Sequence, residues 1–224
     1  MNTVLLDKLS EKIGNTAVLI LLLFTLFVVP LIPDPDLRQT VFSAMFTIIF
    51  FMGALAMEKY KRPILAVAVI ALIIEWISFV LQLPILELLS QATNLIFFLI
   101  IVARFILQIA KTREVDAKVI IESINGYLLL GLAYAILVAI VMRNIDHAYN
   151  FPEAVRLNSE RGFYLHEYIY YTFITFTTLG YGDVVPLKPI AKSLSLLISI
   201  SGQIYIAIII AMLVGKYASK TPQS

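Results

Sequence analysis

The chain has 224 residues, of which 60% are hydrophobic and 14% charged, and its mean hydropathy is +0.92. Soluble domains contain about 45–50% apolar and ~25% charged residues, so this composition excludes an ordinary soluble domain and indicates an integral membrane protein. The formal net charge of +2 is too small to suggest nucleic-acid binding, and the absence of cysteine rules out disulfides and thiolate metal sites.

Six apolar stretches are long enough to cross a bilayer, because a helical span needs about 20 mostly apolar residues. The predicted spans are 16–32, 40–57, 63–83, 85–110, 121–142 and 189–215. The first stretch is long for a signal peptide and lacks a small-residue cleavage site, so we expect it to be retained. A further apolar run, 166–177, covers only ~18 Å at 1.5 Å per residue. It predicts a re-entrant helix, which is tolerated only where protein surrounds it.

Basic residues are concentrated on one side of these spans. They precede the first span, join the second to the third and the fourth to the fifth, and follow the sixth: Lys8, Lys12, Lys59, Lys61, Arg62, Lys111, Arg113, Lys118, Lys216 and Lys220. The short opposite loops contain Asp34, Asp36 and Glu87 against a single Arg38. Because basic loops stay in the cytoplasm, both termini are predicted to be cytoplasmic. The long connection before the sixth span has charges of both signs, which weakens the count there.

The most informative segment is Thr177-Thr178-Leu179-Gly180-Tyr181-Gly182-Asp183, which follows the short helix. Glycine permits positive φ, as needed where a backbone turns its carbonyls toward a narrow axis. Over residues 120–215 the chain resembles the potassium channels, and the T-x-G-Y-G-D motif is highly specific. The alternative is a Gly-Tyr-Gly turn in an external loop. It does not explain the short helix before the motif and the full-length helix after it.

The resemblance implies that four identical chains surround one pore, because one filter segment per chain cannot close a ring. Carbonyl oxygens of Thr178, Leu179, Gly180 and Tyr181, with the Thr178 hydroxyl, would replace the hydration shell of K+; this chemistry is taken over from known potassium channels. Further roles follow by position: Gly182 completes the filter, Asp183 lines the outer mouth, and Tyr170, Tyr171 and Thr177 support the filter.

The chain departs from the family pattern at three positions. Leu179 replaces the commonest valine, and Tyr170 and Tyr171 replace a frequent tryptophan pair. Aromatic rings there still suit a cuff behind the filter, and their hydroxyls can hydrogen-bond near Asp183. Ile174 offers no buried acid behind the filter, so control of inactivation by a carboxylate is not predicted at that position.

Gly202 lies where relatives place a bending glycine in the last helix. It predicts either a gating hinge or a close helix–helix contact, since small residues are frequent at membrane interfaces. His166, at the entry to the short helix, is a further hypothesis, for an effect of external pH.

The six-helix plan resembles voltage-gated channels, but the fourth span lacks their charges. A sensor needs a basic residue at every third position, and 88–110 contains only Arg104. We interpret Arg104 as snorkelling to the inner interface. Glu75 lies deep in the third span, where a structural polar contact is favoured over a proton- or voltage-sensing role.

The predicted fold is an all-α membrane protein with six transmembrane helices and a re-entrant helix, assembled as a homotetramer. The predicted divisions are a cytoplasmic N-terminus (1–15), a sensor-like bundle (16–110), a linker (111–120), a pore domain (121–215) and a tail (216–224). Within the pore domain they are an outer helix (121–142), a turret (143–165), a pore helix (166–177), the filter (178–183) and an inner helix (189–215). A cytoplasmic nucleotide- or calcium-binding regulator is not expected in so short a tail, so either gating lies within the membrane or the filter, or regulatory parts are found elsewhere.

The predicted function is passive, potassium-selective conduction across a plasma (inner) membrane, with weak or no voltage gating. Enzymatic activity and cofactors are not expected; K+ is the transported ion. The expected partners are three further copies of the chain and the lipid bilayer. Two alternatives stay open: a channel that selects poorly among monovalent cations, and a non-conducting membrane subunit that works beside an unidentified second subunit.

Overall fold

The computed structural model describes residues 2–55, 69–70, 72–74, 76–78, 80–81, 84–112, 116–152 and 164–218. Six helices have defined bounds: α1 (Asn2–Phe27), α2 (Pro35–Leu55), α3 (Pro84–Lys111), α4 (Ala117–Asn144), α5 (Leu165–Phe176) and α6 (Pro189–Ala218). A 3-10 turn, Val29–Leu31, follows α1, and the described residues between 69 and 81 are also helical. In these ranges the chain is all-α apart from one isolated antiparallel bridge between Tyr149 and Pro186.

Two aspartates set where helices begin. The Asp34 carboxylate accepts a hydrogen bond from the Leu37 amide (2.7 Å), and α2 therefore starts at Pro35. The Asp116 carboxylate accepts one from the Val119 amide (2.9 Å) and starts α4 at Ala117. Both helices begin four or five residues earlier than the apolar stretches predicted, because a cap of this kind contributes about 1 kcal/mol and needs no apolar side chain.

The first helix is also longer than its apolar stretch. It begins at Asn2, so the segment assigned as a separate N-terminus is helical and continuous with the first span. Among the described residues, four segments are long and apolar enough to cross a membrane: Gly14–Leu31, Leu88–Lys111, Ala117–Asn144 and Pro189–Lys216. These segments make the chain a multi-pass membrane protein. The predicted span 63–83 lies largely outside the described residues.

The helices pack through one large apolar core and a smaller one. The large core joins α1, α2, α3 and α4, with rings of Phe46, Phe50, Phe97 and Phe98 4.3 to 6.5 Å apart. The second core joins α4, α5 and α6. Residues 112–116 connect α3 to α4, and so short a connection makes the two helices antiparallel neighbours. Helices α1 and α3 therefore pack on α4 of their own chain, and α2 packs on α1.

Candidate ion pathway

Two glycines seat the short helix α5 between its longer neighbours. A Cβ added at Gly131 of α4 would lie 2.4 Å from the Phe173 ring, and one at Gly202 of α6 would lie 2.2 Å from the Phe176 carbonyl oxygen. Neither distance is compatible with a side chain, so glycine is required for this close approach. The carboxyl end of α5 is thereby held where the filter segment (178–183) begins.

The filter segment has an alternating backbone. φ is +61° at Thr178, +54° at Gly180 and +81° at Gly182, whereas Leu179 and Tyr181 do not have positive φ. A φ that alternates in sign turns successive carbonyls toward the same side of the chain. The amides of Leu179 and Gly180 both donate to the Ile174 carbonyl, at 3.0 and 3.1 Å. Among the described residues, no backbone amide donates to the carbonyls of 178–181. These oxygens are therefore available to a cation.

Thr178 adopts an unfavourable backbone conformation in this segment. A positive φ is unusual for a β-branched residue and costs on the order of 1–3 kcal/mol. Its amide donates to the Thr175 carbonyl (3.0 Å), and its hydroxyl accepts from Gln203 Nε2 of α6 (3.3 Å). The structure thus assigns Gln203 to the inner end of the filter segment.

The Asp183 end of the segment 178–183 is held by two polar side chains. The Tyr170 hydroxyl donates to Asp183 Oδ2 (2.6 Å). Asn150, from the connection after α4, accepts from the Val185 amide (2.5 Å) and donates to the Asp183 carbonyl (3.5 Å). The Tyr170 bond, aided by the Val184 amide, lowers the pKa of the Asp183 carboxyl below its usual value. Asp183 therefore stays ionised to a lower pH than a free carboxyl.

Replacing Tyr170 with phenylalanine is expected to raise the pKa of Asp183. A depressed carboxyl pKa stabilises the fold above the unfolded-state pKa, and that stabilisation is lost as pH falls through the folded-state pKa. In Tyr170→Phe, external acid should therefore neutralise the mouth, and reduce single-channel conductance, at a higher pH than in the native chain. Tyr171→Phe is the matched control, since the Tyr171 hydroxyl contacts Ser195 instead (2.5 Å). Identical conductance–pH curves for Tyr170→Phe and the native chain would contradict the role of this bond.

An aromatic cluster packs behind α5. Tyr171 is buried there, with its ring 4.9 Å from Tyr149 and 5.8 Å from Phe151, which lies 5.2 Å from Tyr168. Tyr170 lies outside the cluster and is 39% exposed. The predicted pair of supporting tyrosines is thus divided: one packs the helix and the other holds Asp183. Sequence reasoning missed Tyr149 and Phe151, because they belong to a polar connection in which nothing marks them as partners of α5.

Two further residues predicted to matter have local roles here. The Thr177 hydroxyl donates to the Phe173 carbonyl (2.7 Å) and caps the end of α5. Gly202 makes the close contact with Phe176 described above, inside an uninterrupted helix. The contact interpretation of Gly202 therefore has direct structural support, and the hinge stays a prediction.

The structure describes two of the three charged or titratable candidates, Arg104 and His166. Glu75 lies outside the described residues, and Arg104 is half-buried on α3. His166 packs against the Tyr164 ring (6.1 Å) and lies 3.5 Å from a Glu167 oxygen. Burial, and secondarily the Arg38 guanidinium, lower the pKa of His166 to about 4. The side chain is therefore neutral near pH 7, which does not favour it as a sensor of external pH.

Comparison with known proteins supports the assignment of this region. Residues 128–218 match a family model described as ion channel. The matched range runs from within α4 to the end of α6, so it contains α5, the filter segment and both glycine contacts. It supports an ion channel, which is a transport-type protein. Comparison with curated proteins and with solved structures gave no match.

Proposed function

We propose that the chain is the subunit of a potassium-selective channel, in which four copies conduct K+ passively through a common pore. The observation that carries the proposal is the alternating backbone of 178–183, with its carbonyls left without amide donors. Four such segments around one axis supply stacked oxygen rings of the kind that replaces the hydration shell of K+. The ions would bind at Thr178, Leu179, Gly180 and Tyr181, below an outer ring of four Asp183 carboxylates.

The exposure of apolar side chains in the filter segment and in α6 supports the assembly of several copies of the chain. Leu179 and Tyr181, which lie within the filter segment, are 55% and 68% exposed. Of the apolar span in α6, 22% is buried within the chain, against 61% of the span in α4. Copies of the same chain would cover the exposed side of α6 and the filter, as in a closed ring around one axis. Four copies with six spans each, and both termini in the cytoplasm of a plasma membrane, complete this proposal.

Weak or absent voltage dependence follows from the charges of α3. Each elementary charge that crosses the field contributes about 2.3 kcal/mol per 100 mV. Within α3 the basic residues are Arg104 and, in its last turn, Lys111. A charge near the cytoplasmic end crosses only part of the field, so the energy available for gating is small.

Reversal potentials in proteoliposomes test the proposed function against its two rivals. With K+ and Na+ in opposed gradients, the reversal potential should lie close to the K+ equilibrium value. A reversal near zero would support the poorly selective cation channel. Absence of any current from pure protein, with conduction restored by a second subunit, would support the non-conducting subunit. Chemical cross-linking of the purified protein should end at four copies.

A further inference from the structure

A buried carboxylate connects three helices near the cytoplasmic end of α4. The Glu122 side chain is fully buried, and its Oε1 accepts hydrogen bonds from Asn15 Nδ2 of α1 (3.0 Å) and Gln108 Nε2 of α3 (2.8 Å). Lys118 Nζ lies 3.8 Å from the same oxygen. Burying a carboxylate is costly unless donors surround it, so this cluster holds α1 and α3 against α4 in one arrangement.

The next turn of α4 connects this cluster to the inner helix. The Tyr205 hydroxyl of α6 donates to the Ser123 carbonyl (2.9 Å), and the Tyr205 ring is buried. Gly126 leaves room for it, since an added Cβ there would lie 2.3 Å from the Tyr205 oxygen. A continuous set of buried contacts therefore runs from α3 through α4 to α6.

A second, direct contact joins α3 to the end of α6. Lys216 Nζ donates to the carbonyls of Ile109 and Ala110, the latter at 3.3 Å. These carbonyls belong to the last turn of α3, where carbonyl groups lack partners within the helix. A cation at this position is also favoured by the helix dipole.

Both contacts lie on the side of α6 that faces away from the filter. Gln203 contacts Thr178 and so marks the side toward the pore axis. At about 100° per residue, Tyr205 and Lys216 lie roughly 200° and 220° around the helix from Gln203. Closing the cytoplasmic end of a four-fold pore requires the four inner helices to converge on the axis. That movement would carry Lys216 away from α3 of its own chain.

We propose that α3 holds the cytoplasmic end of α6 through Lys216, with Tyr205 and Glu122 as supports, and that this attachment favours the conducting pore. The inference rests on the proposed channel function. It assigns the sensor-like bundle (16–110) a mechanical role, because any change that displaces α3 also changes the position of α6. Lys216 is thus a positioning residue for gating, remote from the ion sites.

Single-channel recording of Lys216→Met tests the attachment. The open-to-closed ratio should fall at least about sevenfold, because a helix-terminal cation contributes about 0.3 kcal/mol or more in each chain and the four contributions add. Lys216→Arg should recover much of the loss. Lys192→Met, an exposed lysine of the same helix, is the matched control. Conductance and reversal potential should stay native in Lys216→Met. An unchanged or increased open probability would overturn the inference, whereas failure of the native protein to conduct would instead contradict the proposed function.

A disulfide tests, independently of conduction, the packing of α3 on α4 of the same chain, on which the attachment depends. A Cβ built at Gly126 lies 3.7 Å from the Phe105 Cβ, within the 3.5–4.5 Å range of disulfides. The native chain has no cysteine, so Phe105→Cys with Gly126→Cys introduces the only pair. Tyr205→Phe is added to remove the hydroxyl that would meet the new side chain. Oxidation should give a bridge within one chain, seen as a monomer of altered mobility on a denaturing gel. Bridged dimers, or two free thiols, would contradict attachment within the same chain.

Discussion

Replacing Gly180 with alanine is expected to abolish potassium-selective conduction. Gly180 has a φ of +54°, and no atom lies within 4 Å of an added Cβ in its own chain. The cost is therefore one of backbone conformation. It is about 1–2 kcal/mol for each chain, or roughly 4–8 kcal/mol for a ring of four. A segment that relaxes to negative φ turns its carbonyl out of the ring. Reversal potentials in opposed K+ and Na+ gradients measure the loss.

Gly215→Ala is the matched control for this prediction. Gly215 lies in α6, has no positive φ, and has open space around an added Cβ. The same change of residue type there should leave selectivity native. A Gly180→Ala protein with native selectivity would show that the positive φ at this position is not needed for the ion sites.

Replacing Gly202 with alanine is expected to destabilise the whole pore unit. The new Cβ would lie 2.2 Å from the Phe176 carbonyl oxygen. Because that oxygen belongs to the backbone at the end of α5, it cannot move without displacing the filter. Overpacking of this kind costs about 1–3 kcal/mol per chain, so the thermal midpoint for dissociation of the assembled protein should fall by several degrees.

The same variant separates the two interpretations of Gly202. If the close contact dominates, Gly202→Ala should lower both thermal stability and the fraction of selective channels, while Gly215→Ala changes neither. If a hinge dominates, stability should stay native and only the opening and closing rates should change. Native stability together with altered rates would therefore contradict the packing account.

The features that the sequence predicts well are local, whereas the contacts that it misses join residues far apart in the chain. Some features of the sequence are local or additive. The length of the apolar stretches predicted the helical membrane class and the short helix, and the Gly180-Tyr181-Gly182 spacing predicted the position of the filter. Helix starts were less accurate, because Asp34 and Asp116 act through single hydrogen bonds that an apolar pattern does not contain. The roles predicted for Tyr170 and Tyr171 stay predictions; in the structure Tyr170 donates to Asp183, and Tyr171 packs with aromatic residues from a distant connection.

The contacts that hold the filter and the inner helix could not be predicted from single positions. Asn150 lies 33 residues before Asp183, and Lys216 lies 106 residues beyond Ala110. Nothing near either residue in the sequence identifies its partner. Likewise, Glu122 follows a basic linker and is typical of an exposed helix start until α1 and α3 are known to cover it.

The sequence by itself therefore determined the class of the molecule: a membrane chain with one filter segment, whose chemistry depends on residue type and spacing along a few consecutive positions. Only the tertiary structure decided which side chains hold that segment and how α1 and α3 pack on α4. The physical reason is that hydrogen bonds and steric fit depend on distances of a few ångströms between residues far apart in the chain. Composition and periodicity do not record those distances.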